Sequence, residues 1–204
     1  MKLSDGPSND ALENMDPGVQ RMQKLAMLME RMSDASMRDD LRVNGLKPTY
    51  GPNGEDFTSV SEDLVQLLEK ALTGEESAEI SMLIAELNSD IDRERREGIY
   101  NSLNSMFAKE IEPATEEEAA DLEQEYQNVT GGSLDKEKAI AADNQYGNVW
   151  GLAQVSLGMM IYNMSEQINL TEDGQSELEM VLENSGLNPT TIKDVIFLLT
   201  NKSV

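Results

Sequence analysis

The one stretch of this chain whose residue types and spacing match a ligand-holding pattern is Asn169-x-Thr171-x-Asp173-Gly174. It resembles the first half of an EF-hand calcium loop, which supplies oxygen ligands at alternate positions and a glycine at the sharp turn. The loop also needs a bidentate acid at its twelfth position, and that place is taken by Met180. Glu179 falls one residue early, and the first position is Asn169 rather than an acid. The stretch therefore reads as a turn that caps a helix. Carboxylates abound elsewhere. Glu110 to Glu125 holds eight acids and no base, and Glu116, Glu117, Glu118, Asp121, Glu123 and Glu125 could imitate a row of phosphates or simply form a solvated acidic face. A glycosidase-like pair needs two carboxyls facing each other across a cleft at a set distance. Nothing in the sequence sets such a pair apart.

Two absences narrow the chemistry further. The 204 residues include no cysteine and no histidine, which removes disulfides, thiol nucleophiles, Cys/His zinc sites, histidine general bases and histidine pH switches. No glycine-rich loop joins a strand to a helix as a nucleotide site would require, and Tyr50-Gly51-Pro52-Asn53-Gly54 is turn chemistry. No catalytic residue, cofactor or metal ligand is assigned, and the chain is expected not to be an enzyme.

Charge points the same way. Thirty-nine acids against 16 bases give a net charge of −23. Such self-repulsion favours solubility and disfavours direct binding of nucleic acid or anionic lipid. The N-terminal MKLSDGPSND has no apolar core segment, so no classical signal peptide is expected. Cytoplasm, virion and export without a cleaved peptide all stay open as locations.

The elements follow from hydrophobic period. Met1–Asp16 is polar and reads as a mobile arm. Pro17 suits a first helical turn, and the helix it opens should run to about Val43. Met22, Leu25, Met29 and Met32 recur along it at three and four residues. Seven of the 13 methionines lie in the first 37 residues, and methionine adapts to irregular surfaces. This stripe is a candidate interaction face, able to lie in a partner's groove as helical anchors. The competing reading is that it completes the chain's own core.

Asn44–Phe57 holds two prolines and three glycines and marks a linker between residues 1–43 and a helical core at 58–204. Ser59-x-x-Glu62 forms a capping box for a second helix to about Leu72. Thr73-x-x-Glu76 caps a third, with Ile80, Leu83, Ile84, Leu87 and Ile91 in period. After the charged DRERRE, the period resumes at Ile99, Leu103, Met106, Phe107 and Ile111. Either one long helix is exposed at its middle or two helices meet near Gly98. Pro113 breaks the run, and Thr115-x-x-Glu118 restarts it to about Val129. A helix over Ser133–Gln145 leads into Val149–Ile168, the densest apolar run and the home of the only tryptophan. Trp150, Ala153, Leu157, Met160 or Ile161, Met164 and Ile168 give it one face. Val149, Leu152, Val155 and Met159 widen that face until the helix demands burial on most sides. Gln154, Ser156 and Asn163 interrupt it as a membrane span. Gly147 and Gly151 form a G-x-x-x-G that would admit a close helix from a second subunit. Leu178, Val181 and Leu182 mark another helix, stopped by Gly186, and Asn188-Pro189 opens the last.

No segment alternates with period two. The expected fold is all-α, an irregular bundle of about seven or eight helices around the apolar helix 149–168. The expected function is that of a helical structural protein that packs into a multi-subunit complex, such as a virion, scaffold or secretion machine, with protein partners, either as a homo-oligomer or in a larger assembly. The alternative is an acidic decoy that mimics nucleic acid and occupies a basic surface, with Glu116, Glu117 and Glu118 at its centre.

Overall fold

The computed structural model describes residues 17–46, 75–110, 114–141, 148–167 and 172–200. Among them the chain forms eight α-helices and no strand, so the fold is all-α. The helices are α1 Pro17–Asn44, α2 Glu75–Leu87, α3 Arg93–Glu110, α4 Glu116–Thr130, α5 Lys136–Ala141, α6 Val149–Gln167, α7 Glu172–Asn184 and α8 Pro189–Thr200. The expected arm, the capping box at Ser59 and most of the linker lie outside the described residues.

Local chemistry fixes most of the boundaries. Asn148 caps α6, its Oδ1 accepting the Gly151 N–H at 2.9 Å. Asn188 caps α8 through the Thr191 N–H at 2.8 Å, with Pro189 in the first turn, where its missing N–H leaves nothing unsatisfied. Asp135 caps α5 by accepting the Lys138 N–H at 2.8 Å. The acids Glu116, Glu117 and Glu118 fill the first turn of α4, where the helix dipole favours negative charge. Gly45 (φ 64°) follows α1 and Gly131 (φ 76°) follows α4, both in the left-handed region that glycine enters without a Cβ penalty.

The break between α2 and α3 is not at Gly98. The chain leaves the helix after Leu87 and re-enters at Arg93. Asp92 caps the new helix by accepting the Arg95 N–H at 2.8 Å, and Gly98 lies inside α3 with open space where a side chain would be. A capping carboxylate fixes where a helix starts, whereas a single glycine within one costs only about 1 kcal/mol and need not break it.

The described residues fall into two compact units. One gathers those up to Ser33 with those from Glu116 onward, and the other comprises Asp34–Thr115. In the second unit α2 packs on α3. Its core is Leu41, Ile80, Ile84, Leu87, Ile99, Tyr100 and Leu103. Asn104 ties the chain leaving α1 to α3: Leu46 donates its N–H to Asn104 Oδ1 at 2.6 Å, and Asn104 Nδ2 donates to the Leu46 carbonyl at 2.9 Å.

In the first unit α6 packs on α8 and α5, and α8 also on α7. Its core joins Met22, Leu25, Leu28 and Met32 of α1, Leu122 of α4, Leu157 and Ile161 of α6, Leu178 and Leu182 of α7, and Val195 and Leu199 of α8. Trp150 is buried as well. Two polar contacts bridge distant parts of this unit. Glu30 accepts the Asn188 N–H at 3.1 Å, and Arg31 pairs with Glu125.

Candidate interaction surfaces

The methionine stripe of α1 faces inward. Met22 and Leu25 are fully buried, as is Met32, and Met29 is 5% exposed. Of the two readings of this helix, this burial matches completion of the chain's own core. Met27, between the buried positions, is the one methionine of α1 that stands well exposed among those described. The spacing of the stripe is the same for a core face and a partner-binding face, so the pattern alone does not choose between them.

The acids of α4 remain on its surface. Glu116, Glu117 and Asp121 are exposed and Glu118 is half-buried. Two acids of the run are matched by cations of the same unit, Glu123 by Lys136 and Glu125 by Arg31. Among the described residues, no group of three or more acids converges as a metal site would require. Asn169, Leu170 and Thr171, which open the EF-hand-like stretch, lie outside the described residues, and α7 is already helical from Glu172.

Among the described residues, two of the surface depressions have linings of interest. A cavity of about 520 Å³ in the first unit is lined by Pro17, Gln20, Arg21 and Lys24 of α1, with Asn128–Gly131 opposite. In the second unit a smaller one, of about 430 Å³, lies along Ala78, Glu79, Met82, Leu83, Glu86 and Arg95. Arg95 grips Glu86 with two hydrogen bonds of 2.6 Å. Those bonds, aided by the guanidinium charge and opposed by desolvation, hold the Glu86 carboxyl below its usual pKa. The pair staples α2 to α3.

The surface least like the rest of the molecule is on α6. Asn144–Ser165 contains no Asp, Glu, Lys or Arg, the longest charge-free stretch in the sequence. Trp150, Ala153, Leu157 and Ile161 turn one side of the helix into the core. Burial does not extend all round, however, contrary to what the apolar run implies. Val155 is 44% exposed and Met159, one turn on, 57%. Asn163 continues the line, again exposed, and Gly151 begins it, partly buried. The step of four residues places all of them along one face. Gly158 lies off that line, where an added Cβ would meet Leu198 at 3.6 Å, so α8 occupies that side. Phe197 of α8 is itself 62% exposed. Sequence reasoning missed this face because an all-round apolar helix carries no sign of which side stays open. The absence of charge was the available signal.

No described helix is long and apolar enough to cross a membrane. Compared with known proteins, the chain matches no family model, no curated sequence and no solved structure.

Proposed function

We propose that this chain is a non-enzymatic helical protein that acts by packing into a larger protein assembly. The observation that carries the reading is the uncharged open face of α6. A solvated helix in a chain of net charge −23 would be expected to show acids to water, yet this one shows valine and methionine. Large apolar patches left open on a folded protein mark interaction sites, whereas single exposed apolar residues are ordinary; Val155 and Met159 adjoin along one helix face. Packing of this kind needs no cofactor and no catalytic group.

The test is the native mass of the full chain in an extract of cells that make it, measured at low and high salt. An assembly held by apolar faces should run far above 22.6 kDa and survive the salt. Replacing Glu116, Glu117 and Glu118 together with glutamine should leave that mass unchanged. A particle that dissolves as salt rises, or that is lost in the triple variant with helix content intact, would instead identify an acidic decoy, because binding through exposed charges is screened by salt. A chain that runs at its own mass in every condition would overturn both readings.

A further inference from the structure

We infer that the open face of α6 is a homodimer interface, covered by the same face of a second copy of this chain. The inference rests on the assembly reading and names the first contact within it. Charge selects the occupant. Two chains of net charge −23 repel, and an approach through most of either surface sets acids against acids. The line Gly151, Val155, Met159, Asn163 is free of charge, so a second copy can meet it with no carboxylate of that line to desolvate, a step that is costly when unpaired. A strongly basic partner has the opposite preference: its attraction is to the acid-rich surfaces, and α6 offers it nothing. Two-fold symmetry makes the match self-consistent, since an isologous interface needs one patch complementary to itself. Here flexible Met159 lies against the branched Val155 or the bare Gly151 of the partner copy. Small residues let helices approach closely, and methionine fills the irregular space left over.

The natural chain has no cysteine, so single cysteines report contacts without background. The experiment takes purified full-length protein through sedimentation equilibrium, then through cross-linking with a short bis-maleimide in Val155→Cys and Met159→Cys. Met82→Cys on α2, 72% exposed, serves as the control. The expected wild-type mass is twice 22.6 kDa, with the dimer fraction rising as salt screens the repulsion. Covalent dimer should form at 155 and 159 and not at 82. The double variant Val155→Glu with Met159→Glu should sediment at the single-chain mass with an unchanged helical spectrum. If that variant loses its helix signal, the cysteine variants alone decide. A wild-type dimer that neither 155 nor 159 cross-links, or that persists in the folded double-Glu variant, would overturn the inference. So would a purified chain at the single-chain mass. If a salt-resistant particle still stands in the extract, any of these results overturns only the dimer. Loss of that particle overturns the assembly reading whatever the purified chain does.

Discussion

Two buried residues set the sharpest tests at the residue scale. Trp150 is 5% exposed at the start of α6, and its removal leaves a cavity that the surrounding helices cannot fully close. Trp150→Ala should lower the unfolding free energy by about 3–5 kcal/mol in a denaturant titration. Native tryptophan emission should lie well to the blue of the unfolded chain's, and emission at the water-exposed limit would contradict the burial. Gln23 is the opposite case. It is 4% exposed on α1, and among the described residues its Oε1 has no hydrogen-bond partner. A buried acceptor left unsatisfied forfeits about 1–3 kcal/mol of solvation. Gln23→Leu, close in volume and without the stranded oxygen, should therefore raise the unfolding free energy by about 1–2 kcal/mol. A loss of stability would mean that the oxygen holds a bridging water whose bonds the leucine cannot replace.

At the scale of single elements, the sequence was most legible where a cap and a hydrophobic period agree. Asn188-Pro189 opens α8 as its residue types require, Pro17 opens α1, and Thr115-x-x-Glu118 foretold α4 to within a residue. Burial of Leu87, Trp150, Leu157 and Ile161 followed from their spacing alone. The period was uninformative where apolar residues surround a helix, which is why Val155 and Met159 were expected inside. It also ran unbroken through Ile91, so the end of α2 was hidden, although Asp92 stood ready as a cap. Least legible was the tie between Leu46 and Asn104, 58 residues apart, which leaves no local trace. Its two hydrogen bonds reproduce the pairing of one backbone with another and hold the chain where it leaves α1. Asn104→Ala strands the Leu46 N–H and carbonyl in a part-buried site and should cost about 1–3 kcal/mol. Asn104→Asp keeps an acceptor for the N–H but offers no donor to the carbonyl, so its loss should be intermediate. Equal midpoints for wild type and both variants in urea would show that solvent takes over these bonds at no cost.

For the molecule as a whole, the decisive feature is that the first unit draws on both ends of the described chain. Residues up to Ser33 join those from Glu116 onward, although a reading by loops and composition sets 1–43 apart from 58–204. Contacts this distant in sequence close late and slow folding, but once made they bind the ends into one cooperative structure. Deleting residues 1–43 tests how deeply the first helix is committed. The deletion removes Met22, Leu25, Leu28 and Met32, each fully buried, from one core and Leu41, 7% exposed, from the other. Truncating a single buried Leu or Met to Ala costs about 2–5 kcal/mol, and a domain holds only about 5–15 in reserve. The loss of five such side chains exceeds that reserve. The truncated protein should therefore show a broad, early thermal transition by circular dichroism, bind a hydrophobic dye and aggregate. An interaction arm would behave differently: its removal would leave a sharp melt near the full-length midpoint and abolish only assembly. A sharp melt of the shortened chain would show that Met22, Leu25, Met29 and Met32 can leave the core without unfolding it, and would return them to the role of partner anchors.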